Sequence, residues 1–180
     1  MQELVVLVDK HNTPIGTADK HTVHTKNTPL HRGFSLFLFN SKGQILLTKR
    51  AASKKTFPGV WTNTVCGHPA PEESVVDAAK RRLKDELRIS DVDIEEVSPY
   101  VYRVADQNGI VENEICPICI GQFDGEAYPQ ENEVDDWKWM DWDEFLREIE
   151  NNPKIYSPWS IDEAKILSAK HLQLIDREQQ

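Results

Sequence analysis

The spacing of apolar residues changes several times along this chain, and the changes mark its elements. Residues 3–9 carry a short apolar run that predicts a strand, closed by the turn-like His11-Asn12-Thr13-Pro14 and Gly16. Residues 18–32 are polar and without period, and read as a loop with room for one helical turn. Residues 33–39 and 44–49 are strand-like, with hairpin chemistry between them in Asn40-Ser41-Lys42-Gly43. Over residues 72–87 the period becomes helical: Val75, Val76, Ala79, Leu83 and Leu87 recur at three or four residues on one face. Strand character returns at 97–105. After the turn Asp106-Gln107-Asn108-Gly109 it resumes at 110–123, where Pro117 predicts a bend or a sheet edge. An acidic patch at 131–136 precedes a last strand at 137–141. Asp141 or Asp143 then caps a helix to about Glu150, and a C-terminal helix covers about 160–176. Hairpins with few helices favour α+β with a mixed sheet, in one domain over 1–180.

Composition narrows the function classes. The 180 residues suffice for one domain with a substantial core. A formal net charge of −9 argues against a broad nucleic-acid surface, so an anionic ligand needs cations gathered locally or a metal. No apolar run approaches the roughly 20 residues that span a bilayer. Three cysteines and no signal-peptide pattern at the N-terminus point to a reducing compartment, with the cytoplasm as the expected location.

Four groups of residues could carry chemistry. Glu112 and Glu114 lie two apart on an expected strand and so share a face. If that face is exposed, water suffices to screen them. If it is buried, a divalent ion is the natural partner, with His24, His31 and His68 as candidate nitrogen donors. Cys116-Pro117-Ile118-Cys119 has redox or zinc-knuckle spacing, but no second pair exists and both thiols read as packing. Cys66, flanked by polar residues and just before Gly67-His68, is open between a proton-transfer thiol and a core thiol. Lys20, Arg50, Lys54 and Arg82 are either an anion clamp or solvated surface cations. Trp137, Trp139 and Trp142 read as core or rim, while Trp159 stays unassigned.

Gly67, five residues, Glu73, seven residues and then residues 81–89 (RRLKDELRI) resemble a Nudix box, the loop–helix–loop that places acidic side chains on metal-bound diphosphates. The box has Arg-Glu where this chain has Arg81-Arg82, Glu where it has Asp85, and Gly where it has Arg88. Loss of the acidic residue at Arg82 weakens the case for ordinary Nudix hydrolysis, and Arg88 reads as a local change in helix termination. The flanking stretches 53–61 (SKKTFPGVW), 61–69 (WTNTVCGHP), 112–117 (ENEICP) and 157–159 (SPW) are similar to the type I isopentenyl-diphosphate isomerases over nearly the whole chain.

That resemblance implies a Nudix-like mixed β-sheet sandwiched by helices, and an isomerase that interconverts isopentenyl and dimethylallyl diphosphate. It implies a divalent ion, Mn2+ or Zn2+, on His24, His31, His68, Glu112 and Glu114. It also implies Mg2+ bridging the diphosphate to Glu86 and the backbone carbonyl of Cys66. Lys20, Arg50, Lys54 and Arg82 match diphosphate-binding positions. Cys66 and Glu114 match the acid/base pair, with Tyr102 assisting the carboxylate and Trp159 offering a π face to a carbocation. The implied partner is a small isoprenoid diphosphate, with no nucleic acid or membrane, for a monomer or small homo-oligomer. A Nudix hydrolase of a nucleoside diphosphate derivative and a non-catalytic Nudix-like binding module are the competing readings.

Overall fold

The computed structural model describes residues 3–178 of the chain, with side chains placed through Lys170. In chain order the strands are β1 Leu4–Val8, β2 Pro14–Asp19, β3 His31–Arg32, β4 Phe34–Phe39, β5 Gln44–Arg50, β6 Trp61–Thr62, β7 Val65–Gly67, β8 Ile94–Ser98, β9 Val101–Ala105, β10 Val111–Ile115, β11 Ile118–Gln122 and β12 Val134–Asp141. The helices are α1 Lys20–Val23, α2 Val75–Leu87, α3 Trp142–Asn151 and α4 Pro158–Glu178, with a 3-10 turn at Pro153–Ile155.

The architecture is α+β as expected, but the strands form two mixed sheets rather than one. One has the order β2-β1-β3-β10-β9. The other has the order β12-β5-β4-β11-β8, with β6 on β5 and β7 on β4. In each sheet the parallel pair is central: β3 with β10, and β4 with β11. The second sheet is covered on both faces, which is why β4 is apolar at every position but Ser35. Phe34, Leu36 and Leu38 face Ala79, Leu83 and Leu87 of α2, while Phe37 packs with Phe145 and Ile149 of α3 and Ala164 of α4.

Two expected strands are each broken in two, and the breaks are what build the site. Residues 97–105 divide at Pro99 into β8, in the second sheet, and β9, in the first. Residues 110–123 divide at Cys116-Pro117 into β10 and β11, so the bend expected at Pro117 is a crossing between sheets. Proline has no N–H to continue a ladder, and the chain leaves one sheet for the other where it occurs. β3 and β4 make the same crossing alongside, at Gly33. Backbone bonds hold the crossings together: Gly33 N–H donates to Ile115 O (2.9 Å), Ser35 N–H to Pro117 O (3.1 Å) and Cys116 N–H to Tyr100 O (2.8 Å).

Other boundaries shift for local reasons. The turn after β1 is confined to residues 9–13, and 14–19 continue as β2, an edge strand whose first four residues are exposed. The polar stretch 18–32 holds the end of β2, the single turn α1 and the two-residue β3, each too short to show a period. Helix α2 starts at Val75 rather than 72, because Glu72 has a left-handed φ of 66° and Ser74 Oγ caps the helix by accepting from Asp77 N–H (3.1 Å). The last strand begins at Val134 and absorbs part of the acidic patch, and Asp141 caps α3.

Arg88 ends α2 as a left-handed residue, φ 59°, its N–H donating to Lys84 O (3.1 Å). Glycine is the residue such a cap favours, and an L side chain there carries strain of about 1–2 kcal/mol. Replacing Arg88 with Gly is therefore expected to raise unfolding free energy by up to ~1 kcal/mol, after the added entropy of the unfolded chain is deducted. Urea denaturation measures it, and a loss of stability would show that contacts of the Arg88 side chain outweigh the strain.

Candidate active site

Strand register assembles the first part of the site. In the sheet of β1, β3, β9 and β10, Glu114 is opposite His31 on one side and Tyr102 on the other, so three side chains form one row across three strands. Glu112, two residues earlier, shares the face of Glu114. His24 follows α1, where Thr25 O accepts from Val111 N–H (2.9 Å) and ties that turn to β10. His68 follows β7, whose Cys66 pairs with Ser35 of β4 in the other sheet.

One ligand atom from each of His24, His31, His68, Glu112 and Glu114 lies within 4.8 Å of all the others. Glu114 Oε1 is 3.1 Å from His68 Nε2 and 3.5 Å from His31 Nε2, and Glu112 Oε2 is 3.0 Å from His24 Nε2. Yet His24 Nε2, His31 Nε2 and Glu112 Oε2 are buried without a hydrogen bond of good geometry. Buried polar atoms that converge without satisfying one another fit a cation between them. His31 Nδ1 lies 2.9 Å from Pro29 O, and donating its proton there leaves the Nε2 lone pair for the cluster. Three imidazoles and two carboxylates suit a divalent ion that accepts nitrogen as well as oxygen.

The electrostatics of the cluster are those of groups taken from water together. Burial pushes the Glu114 carboxyl up, but hydrogen bonds from His31 and His68 outweigh it and hold the group well below its usual range. The same carboxylate raises His31 against the effect of burial, whereas at His68 burial wins and the imidazole is lowered.

A cavity of about 520 Å3 opens beside this cluster. Cys66, Tyr102, Trp159 and the cations Lys20, Arg50, Lys54 and Arg82 all line it, together with His24, His68, Glu112 and Glu114. Glu86 and His31 are not in its wall. Glu86 lies one helical turn from Arg82 and accepts from its guanidinium at 2.6 and 2.9 Å. Burial pushes the Glu86 carboxyl above its usual range despite that partner. Arg81 clamps Glu73 with two hydrogen bonds, 2.7 and 2.8 Å, and donates to His68 O (3.2 Å), fixing the loop before α2.

Cys66 is held from two sides. Its Sγ donates to Asn63 Oδ1 (3.1 Å) and lies 3.6 Å from Ser35 Oγ. Asn63 Nδ2 is committed to the carbonyls of Leu36 and Val65, so its oxygen is the acceptor. Burial, then the Glu163 carboxyl, push the Cys66 thiol up to about 12, and it rests protonated at neutral pH. Trp159 is buried, 5.1 Å from the Phe57 ring, 5.8 Å from the Tyr102 ring and 5.5 Å below the Arg50 guanidinium.

The NUDIX domain family profile matches residues 29–160. An isopentenyl-diphosphate Delta-isomerase of Corynebacterium glutamicum is 46% identical, the match covering 95% of this chain and 92% of that protein. One of Salmonella arizonae is 43% identical, covering 95% of this chain and 94% of that protein. The chain belongs to the isopentenyl-diphosphate Delta-isomerase family of NUDIX proteins. Among solved structures, DR0079 from Deinococcus radiodurans superposes with a TM-score of 0.74 at 17% identity, covering 91% of this chain and 98% of that one. A MutT protein from Methanosarcina mazei Go1 gives 0.67 at 16% identity, covering 79% and 96%. These two likenesses establish the fold.

Within this isopentenyl-diphosphate Delta-isomerase family member, four site residues have no signal in the sequence reading. Asn63 and Ser35 hold the Cys66 thiol. Glu163 is fully buried on α4, accepts from Cys116 Sγ (3.9 Å) and is pushed well above the usual carboxylate range by burial. Glu133 touches both Lys54 and Arg82. Pairing of 133 with 54 and 82, or of 163 with 116, is set by tertiary contacts, so no spacing announces it.

Gly33 gives a direct handle on the cluster. A methyl group at Gly33 would overlap the Glu114 carboxylate. Gly33→Ala is expected to keep far-UV circular dichroism near wild type and to weaken divalent-ion binding about 10–100-fold, the scale of lost support around a metal ligand. Calorimetric titration with Mn2+ or Zn2+ measures this; unchanged affinity would mean that Glu114 is not a ligand in this position.

Proposed function

We propose that this cavity interconverts isopentenyl and dimethylallyl diphosphate by protonation and deprotonation through a tertiary carbocation. The observation that carries the reading is that a thiol, Cys66, and a carboxylate, Glu114, stand in the wall of one cavity together with Lys20, Arg50, Lys54, Arg82 and a buried indole. A carbon–carbon double bond is a poor base, so the chemistry needs a donor and an acceptor already in place, and surroundings that neither trap nor repel a cation.

Lys20, Arg50, Lys54 and Arg82 bind the diphosphate, the unreactive end of the substrate, so binding energy there positions the alkene. Cys66 and Glu114 form the acid/base pair and exchange roles with the direction of reaction. Tyr102, opposite Glu114 across the ladder, assists the carboxylate, and burial raises its own phenol well above the usual range, so it stays a hydrogen-bond donor. Trp159 offers a π face to the carbocation, worth roughly 2 kcal/mol when desolvated. His24, His31, His68, Glu112 and Glu114 would hold a divalent ion, Mn2+ or Zn2+, and Glu86 with the Cys66 carbonyl would hold Mg2+ on the diphosphate. When bound, these ions supply charge compensation for the carboxylates and for the diphosphate.

The test is isopentenyl diphosphate turnover by the metal-loaded protein, followed by appearance of the allylic isomer and by phosphate release. Cys66→Ala is expected to keep its fold and metal content and to lose about 10²–10⁴ in turnover. A fully active Cys66→Ala protein would remove the cysteine from the mechanism. Phosphate release from nucleoside diphosphate derivatives, with no allylic product, would decide for a hydrolase.

A further inference from the structure

Three of the five cations that line the cavity already have carboxylate partners. Lys20 Nζ is 2.5 Å from Glu3 Oε2. Lys54 Nζ contacts Glu133 Oε2, and Arg82 Nη2 is 3.2 Å from that same oxygen while also holding Glu86 at 2.6 Å. Arg50 and Lys55 differ: the Arg50 guanidinium donates to the carbonyls of Thr56 (2.9 Å) and Phe57 (3.2 Å), Lys55 Nζ donates to His21 O (3.3 Å), and neither has a carboxylate within ion-pair distance among the described residues.

Glu133 stands apart from Glu3. It bridges two cations with one oxygen, and it neighbours Glu86 closely enough that each charge acts on the other. Its backbone is anchored on both sides, Glu133 N–H donating to Gln130 O (2.9 Å) and Glu133 O accepting from Ala51 N–H (3.0 Å). Its side chain is therefore delivered into the cavity wall from a fixed position.

Lys20, Lys54 and Arg82 are thus matched by Glu3, Glu133 and Glu86, so none of these three cations carries an unpaired charge into the cavity. A diphosphate that engages Lys54 and Arg82 must displace Glu133 from both. Without a metal, Glu133 and Glu86 are then left side by side with little to compensate them. With a divalent ion on the diphosphate, partners are exchanged instead: the cations pass to phosphate oxygens and the carboxylates to the ion.

We propose that Glu133 is a specificity-determining residue, an internal counter-ion on Lys54 and Arg82 that makes diphosphate binding conditional on a divalent ion and joins Glu86 in holding that ion. The inference rests on the reading of this cavity as a diphosphate site, and it selects metal-bound diphosphates over free ones.

The experiment titrates inorganic pyrophosphate into the 180-residue protein by calorimetry, with and without Mg2+. Wild type is expected to bind far more tightly with Mg2+. Glu133→Gln is expected to bind metal-free pyrophosphate about tenfold more tightly, the scale of one released ion pair, while the magnesium complex binds no more tightly than to wild type. Glu3→Gln, which frees Lys20 away from Glu86, shifts both affinities by the same factor. Overturning results are a wild-type magnesium enhancement retained in Glu133→Gln, or a uniform shift like that of Glu3→Gln. Wild type that binds no pyrophosphate even with Mg2+ would overturn the diphosphate reading, and this proposal with it.

Discussion

Two carboxylates buried on one strand face, Glu112 and Glu114, are the constraint around which this molecule is arranged. Each is about 5% exposed, and neither has Lys or Arg within ion-pair distance among the described residues. Like charges held that close and that dry are strongly unfavourable unless neighbours compensate them. The compensation is three imidazoles brought from three separate turns of chain, and an arrangement of unsatisfied atoms suited to a cation. A single Cβ at Gly33 would intrude on it, so the strand crossing beside the cluster has to be bare.

The crossings link that cluster to the rest of the cavity. Because β3–β4 and β10–β11 pass from one sheet to the other side by side, Glu114 ends one sheet where Ser35 and Cys66 begin the other. A thiol backed by Asn63 and Ser35 and a carboxylate backed by His31 and His68 thus belong to different sheets but to one cavity. The helices have separate tasks: α2 carries Arg82 and Glu86 one turn apart, and α4 carries Trp159 in its first turn. Where a Nudix box would present a further acid, Arg82 presents a cation. A carboxylate that the box would offer to a metal at this position is therefore replaced by a guanidinium held between Glu86 and Glu133.

Periodicity revealed the elements long enough to show a period. Helix α2, the buried strand β4 and the break at Pro117 were all legible, the cap of α3 was narrowed to Asp141 or Asp143, and Arg88 sits at the helix end where an altered terminus was expected. The strands β2 and β3 were not, because one is an exposed edge and the other has two residues. For the site, spacing could pair Glu112 with Glu114 but could not gather His24, His31 and His68, which tertiary structure brings together from after α1, from β3 and from after β7. Their roles entered through family resemblance. Ser35, Asn63, Glu133 and Glu163 escaped because hydroxyl, amide and carboxylate side chains are ordinary at any surface, and only burial and distance make them part of a site.

The central claim is that a proton is added to the substrate from one side of the cavity and removed on another, with the diphosphate left whole. The most direct measurement incubates the metal-loaded protein with isopentenyl diphosphate in deuterated water and examines the product by NMR. Dimethylallyl diphosphate carrying deuterium, with no phosphate released, is the expected result. Unlabelled dimethylallyl diphosphate would contradict protonation–deprotonation.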